Sequence, residues 1–209
     1  MLQIISHAIE FNKNLIWENS SRNLYLATTT REFIEIFKLR SKIYTELKYD
    51  NEFPDMIKGL NFDDYDENSA ILYTKVDGIV TGTCRVIFDS DKKLPIDSHF
   101  SLDYLRIKYF NMVEISRLSV KHDTVGLNQE FKWLTKGVYL ISVKNSINKT
   151  VSVIKNEHFK LYSKFGGFHI EKELNTYGYL NKPFIITSWN ILQVSNFFKR
   201  AFLEKLKVS

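Results

Sequence analysis

Two apolar, β-branched runs, "AILYTKV" (70–76) and "IVTGTCRVIF" (79–88), are separated by nothing but Asp77-Gly78. A two-residue Asp-Gly connection between such runs is the strongest short-range signal for a hairpin, because the favoured turn needs positive φ at both central positions. The hairpin commits this part of the chain to an antiparallel sheet.

Around it, "NLYLATT" (23–29), "NMVEISRLSV" (111–120), "TVSVIKN" (150–156), "FHIEKEL" (168–174) and "PFIITSW" (183–189) read as further strands. Thr30 is placed as the cap of a helix with Glu32 and Glu35 in its first turn. Phe33, Ile36, Phe37, Ile43, Tyr44 and Leu47 keep helical spacing along it. Residues 98–110 read as helical, 128–148 as a long helix containing Gly137, and 157–165 as a short helix ended by Gly166-Gly167. Residues 189–207 read as one amphipathic helix. Residues 1–22 form a helix or arm packed on a single domain, 23–209. The order of elements defines an α/β chain: one mixed, mostly antiparallel central sheet with helices on both faces.

The net charge of +5 attracts acidic partners. Lys outnumbers Arg and no basic run is interleaved with Gly, so no nucleic-acid partner is expected. A single cysteine, Cys84, excludes an internal disulfide and fits a reducing compartment. The N-terminus has no basic segment ahead of an apolar run, and no stretch is apolar enough to span a bilayer, so a cytoplasmic protein is expected. Lys199, Arg200, Lys205 and Lys207 beside Trp189, Phe197, Phe198 and Phe202 allow peripheral membrane contact, although such a stripe ordinarily faces a core. His7, His99, His122, His158 and His169 are scattered singly, without metal-ligand spacing. A phosphate-binding loop, a dinucleotide fingerprint and a nucleophile elbow are absent.

What remains is a set of charges among apolar neighbours: Arg40, Asp63, Asp66, Arg85, Glu114 and Arg117. Arg–carboxylate pairs are the usual way to hold charge inside a fold. The set reads as an ion-pair network clamping residues 59–69 to the sheet, or as a site. Glu114 and Arg117 lie three apart on one strand, so strict alternation sends them to opposite faces. They share a site only if a bulge near residues 115–118 re-aims the strand.

"FKLRSKIY" (37–44), "FDDYDENSA" (62–70), "GIVTGTCRV" (78–86) and "VEISRLSV" (113–120) resemble, in order and spacing, the motifs of acyl-homoserine-lactone synthases and N-acyl amino acid synthases, branches of the GNAT-type acyltransferases. The resemblance covers roughly residues 24–120. It implies a GNAT-like fold and an enzyme that moves a fatty acyl group from an acyl carrier protein thioester to the amine of an amino acid or related small amine. The donor is then the phosphopantetheine thioester, with acyl-CoA less favoured, and no bound cofactor or metal is implied. Glu114, Arg117 and Ser116 become the expected catalytic residues. Arg40, Asp63, Asp66, Arg85, Phe100 and Trp133 become the expected substrate-binding ones, Phe100 and Trp133 beside Leu102, Leu105, Val138, Leu140 and Ile141 as candidate walls of an acyl-tail cleft. Lys-rich segments in 132–164 become the expected docking face for the acidic carrier.

Two departures bear on the acceptor. The Trp that lactone synthases place about ten residues after the helix Arg is absent, with Asp50 near that position, and Asn61 stands where their E-x-D-x-x-D begins with Glu. Both count against use of S-adenosylmethionine, the acceptor of the alternative lactone-synthase reading. "KHDTVGLNQE" (121–130) has one glycine where GNAT enzymes carry a Gly-rich coenzyme A loop, which favours the carrier protein. A non-catalytic GNAT-fold binding module is the alternative outside enzymes.

Overall fold

Asp77 and Gly78 both adopt positive φ, 51° and 78°, and join β2 (Ser69–Val76) to β3 (Ile79–Phe88). The computed structural model describes residues 1–19, 21–121 and 128–204. Around the hairpin lie β1 (Leu24–Leu26), β4 (Met112–Val120), β5 (Lys149–Lys155), β6 (Phe168–Leu174) and β7 (Phe184–Asn190), in the order β1-β2-β3-β4-β5-β7-β6. Every neighbouring pair is antiparallel except β4 and β5.

The helices are α1 (Leu2–Asn14), α2 (Thr30–Leu47), α3 (Asp103–Lys108), α4 (Gln129–Lys144), α5 (Phe159–Tyr162) and α6 (Asn196–Phe198). Thr29, not Thr30, caps α2: it is still extended, its hydroxyl accepts the Glu32 N–H, and Glu32 reaches back to the Thr29 N–H at 2.9 Å. The helix expected over 98–110 contracts to α3. Asp97 accepts the N–H groups of Leu94 and Leu102, both at 3.0 Å, which holds the preceding chain in a separate turn, Pro95–Ser98. The long C-terminal helix is not formed as expected. Trp189 and Asn190 complete β7, and Asn190 and Ser195 each cap a short new turn through their side chains. A π-helical turn, Lys199–Leu203, follows α6, and residues 205–207 lie outside the described residues.

On one face of the sheet, Ile4, Ile5 and Ala8 of α1 and Phe33, Ile36 and Phe37 of α2 pack on Ile71 and Tyr73. The segment 94–105 extends this layer over Ile87, Met112 and Val151. On the other face, Leu134, Val138 and Ile141 of α4 meet Leu72, Cys84, Val86 and Val113, together with Phe165, Trp189, Phe198 and Phe202. Gly137 lets α4 approach closely: a Cβ there would meet Leu72 Cδ1 at 3.0 Å and both Leu24 methyls at 3.2 and 3.3 Å.

The feature that positions the site is a split. β4 and β5 pair only from Met112↔Lys149 to Ile115↔Ser152, although β4 continues to Val120 and β5 to Lys155. Beyond Ile115 the two parallel strands share no register, and the sheet is open there.

Candidate active site

Arg117 has φ 52°, in the left-handed region that non-glycine residues seldom adopt. The β3–β4 register shifts at the same place: Arg85 pairs with Ser116 and Thr83 with Ser119, so Arg117 and Leu118 together oppose Cys84. This is the β-bulge that the Glu114/Arg117 spacing required. It turns Arg117 onto the face that carries Ser116 and Glu114.

There the guanidinium makes two side-chain hydrogen bonds. Arg117 donates Nη2 to Asp63 Oδ2 at 2.7 Å and Nη1 to Asn61 Oδ1 at 2.6 Å. It stacks near Phe53 and Tyr44, with 4.7 and 5.3 Å to the ring centroids. Arg85 donates Nη1 to Asp63 Oδ1 at 2.5 Å and Nε to Ser116 Oγ at 3.0 Å, and lies 3.4 Å from Asp66. Arg40, fully buried on α2, donates to Asp66 Oδ1 at 2.8 Å. Asp63 and Asp66 face each other across a short 3-10 turn, Asp64–Asn68, in a capping box: the Asp63 N–H reaches Asp66 Oδ2 at 3.0 Å. Three arginines from α2, β3 and β4 thus clamp two aspartates of one loop to the sheet. Burial alone would push the Asp63 carboxyl up, but Arg85 and Arg117 overcome it and hold Asp63 well below the ordinary carboxylate range. Asn61, at the position of the lactone-synthase Glu, keeps an oxygen acceptor for Arg117 without a charge and anchors the loop by donating to Phe53 O at 2.7 Å.

Glu114 sits beside this clamp and is not ion-paired among the described residues. Its Oε2 accepts the Ile96 N–H at 2.9 Å, and it is only 4% exposed. Burial pushes its carboxyl up to about 7, against weaker pulls from that N–H and from Arg85. A buried carboxyl that titrates near neutrality is suited to accepting a proton from an amine.

Glu114, Ser116, Asp63, Arg85 and Arg117 all open onto one cavity of about 720 Å³. Its lining includes Arg85 from one face of the sheet and Cys84 from the other, so it crosses the sheet at the β4–β5 split. On the far side it is lined by Phe131, Val138, Tyr162, Phe165, Phe168 and Trp189. Burial pushes the Cys84 thiol in its wall up to about 12, which leaves it without the thiolate a nucleophile needs.

Phe100 and Trp133 are not on this wall. Phe100 packs in the layer of Ile96, Leu102 and Leu105, edge-on to Tyr104 at 6.0 Å. Phe131, Thr135 and Val138, spaced four and three apart, are the α4 face that reaches the cavity; Trp133 lies off that face and packs against the core. Of the other tail candidates only Val138 lines it, while Leu102, Leu105, Leu140 and Ile141 do not. Sequence reasoning missed Tyr44 and Phe53, which cover Arg117, and Glu52, His99 and Tyr177 at the polar end. Tyr44 carried only the helical spacing of α2, and the other four lie in loops between regular elements, where nothing in the sequence pointed to the cavity. No group of His, Cys, Asp and Glu among the described residues is arranged to hold a metal ion. His122 and most of the 121–130 segment lie outside the described residues. No described helix is long and apolar enough to cross a membrane.

The split parallel pair and the bulged β4 give the chain a GNAT-like fold, with a buried carboxyl over a two-ended cavity. Residues 35–190 match the family described as N-acyl amino acid synthase FeeM, and the chain belongs to that family. No curated protein sequence matches. Among solved structures, the N-acyl amino acid synthase FeeM from uncultured soil microbes is 17% identical, with a TM-score of 0.64 over 86% of this chain and 94% of that one. The acyl-homoserine-lactone synthase LasI is 14% identical, with a TM-score of 0.64 over 90% and 99%. The CoA-dependent acyl-homoserine-lactone synthase BjaI, solved with MTA, is 15% identical, with a TM-score of 0.60 over 83% and 81%. At these identities the likeness is one of fold.

Proposed function

We propose that this protein transfers a fatty acyl group from an acyl carrier protein thioester to the amine of an amino acid or related small amine. The observation that carries this reading is the cavity that crosses the sheet at the β4–β5 split, charged at one end and aromatic at the other. A thioester is already activated, so transfer needs no covalent enzyme intermediate. It needs a neutral amine, a fixed approach to the carbonyl and donors for the oxyanion.

Glu114 is the general base in this reading. Its Oε2 is held by Ile96, while Oε1 takes no hydrogen bond from any described residue and is available to the acceptor ammonium, directly or through a water. Arg85 and Arg117 hold Asp63, and with it the acceptor side of the cavity, in place; Arg40 and Asp66 brace them from behind. Ser116, fixed by Arg85, sits next to the reacting centre. The bulge interrupts the regular register at Arg117 and Leu118, and this reading assigns their backbone N–H groups as the donors for the thioester oxyanion. Glu114 takes one proton from the acceptor ammonium, and attack by the resulting neutral amine forms the tetrahedral intermediate; its collapse breaks the C–S bond, the departing phosphopantetheine thiolate takes the second nitrogen proton and leaves as the thiol, and an amide remains. The acyl tail occupies the end walled by Phe131, Val138, Phe165 and Trp189.

For the donor, Lys155 on the cavity rim and the exposed Lys160 and Lys164 nearby favour an acidic carrier protein. Acyl-CoA is the second reading, because the structurally similar BjaI is described as CoA-dependent. Mass spectrometry of lipid extracts from cells expressing the wild type or Glu114→Ala tests the proposal. A new N-acyl amine made by the wild type alone supports it. A lactone product redirects it to a signal synthase, and no new product in any host with a competent carrier overturns it.

A further inference from the structure

The charged end of the cavity holds one carboxylate more than its cations match: Arg40, Arg85 and Arg117 share Asp63 and Asp66, which leaves the clamp one positive charge against Glu114 and Glu52. Both guanidiniums that reach it are taken: Arg85 by Asp63, Asp66 and Ser116, and Arg117 by Asp63 and Asn61. Two carboxylates there form no ion pair among the described residues, Glu114 and Glu52. Each accepts one backbone N–H, Glu114 from Ile96 at 2.9 Å and Glu52 from Tyr179 at 2.6 Å. The Tyr177 hydroxyl, which makes no hydrogen bond to a described residue, lies within electrostatic reach of both: burial first, and then Glu114 and Glu52, raise its pKa. Tyr177 is held for this position by its ring against His99 at 4.6 Å and by the paired backbone bonds it makes with Leu180.

Glu114 lies within reach of Arg85 and takes the proton that must leave the reacting ammonium. Glu52 has no cation of its own among the described residues. A carboxylate facing a substrate cavity without a counter-ion is stabilised when the substrate brings one. We infer that the acceptor carries a second positive charge besides its reacting amine, and that Glu52, on the same cavity as Tyr177, receives that charge. The acceptor class is therefore a diamine or a basic amino acid. The inference rests on the acyl-transfer reading above.

Thioester consumption is measured with the purified chain, with acyl carrier protein and acyl-CoA donors supplied separately, on two matched pairs of acceptors: lysine against norleucine, and putrescine against butylamine. A charge-assisted hydrogen bond gives a preference of about tenfold or more in kcat/KM for the doubly charged member of each pair. Glu52→Gln keeps the acceptor for the Tyr179 N–H and removes the charge, so the ratio within each pair falls towards one, mainly through KM. Equal turnover within the wild-type pairs, or a preference that Glu52→Gln leaves intact, overturns the inference and leaves acyl transfer standing. Thioester that survives with every acceptor and both donors overturns acyl transfer itself, and the inference with it.

Discussion

Glu114→Gln separates what this carboxyl does for the reaction from what it costs the fold. Gln is near-isosteric and its Oε1 can still accept the Ile96 N–H, so packing and the hydrogen bond at 2.9 Å survive. The ionisation does not. The native carboxyl titrates at about 7, against an ordinary 4.5. At about 1.4 kcal/mol per pH unit, ionised Glu114 therefore costs the native state on the order of 3 kcal/mol above pH 7. Between pH 4.5 and 7 the unfolded chain has released this proton and the folded chain still holds it, so the penalty grows as pH rises through that window. The variant escapes it. It is expected to match the wild type in stability near pH 4.5 and to exceed it by about 2–3 kcal/mol at pH 8. Its turnover falls by about 10²–10⁴, the usual worth of a general base. Wild-type kcat/KM rises with pH through the region of 7, and the variant's does not. Urea unfolding at pH 5 and pH 8, with turnover measured on the same preparations, reads both. A variant that keeps wild-type turnover, or whose stability difference is the same at the two pH values, refutes the reasoning.

Asp63→Asn leaves Arg85 and Arg117 facing a neutral amide and is expected to cost about 3 kcal/mol at pH 7. Because the native carboxyl lies below its ordinary 3.8, its contribution is present above that pH and lost below it, so the deficit narrows in acid unfolding experiments. Arg117→Lys keeps the charge but loses the second hydrogen bond and the ring contacts with Phe53 and Tyr44; kcat/KM is expected to fall at least tenfold, and a wild-type value contradicts the clamp. Val138→Phe intrudes on the aromatic end of the cavity and is expected to shift the product acyl profile towards shorter chains by mass spectrometry, whereas Trp133→Ala leaves that profile unchanged. Cys84, its thiol pushed up to about 12, is expected to resist iodoacetamide at pH 8 in the native protein and to react on unfolding; rapid native labelling contradicts its burial.

The parts of this molecule that follow from near-neighbour chemistry could be read from the chain. Asp77-Gly78 set the hairpin because few other pairs tolerate two positive φ values in succession. An acid and a base three apart on one strand demanded a bulge, and the bulge falls at Arg117 and Leu118. Five of the six charges could be named because a buried charge without a partner is too costly to keep; Glu114 is the exception, buried on one backbone N–H. Rotation and loop placement could not be read. Trp133 and Phe131 are two residues apart on α4, and which of them meets the cavity depends on how α4 seats against the sheet, down to the approach that Gly137 allows. Glu52 and Tyr177 are separated by more than a hundred residues, and their common end of the cavity exists only once the loops after α2 and β6 meet through the Glu52–Tyr179 bond. The C-terminal stripe kept its apolar face, Phe198 and Phe202, but not its continuity, because Asn190 and Ser195 offer local caps that interrupt a helix.

The central claim is that one cavity joins an acyl thioester to an amine under the control of Glu114. It is tested most directly by incubating the purified chain with an acylated carrier protein and an amine acceptor, and counting free thiol against amide product by mass spectrometry. The account predicts one amide per thiol released by the wild type, and both reduced about 10²–10⁴-fold with Glu114→Gln. Thiol released without amide, or amide formed equally by both proteins, contradicts it.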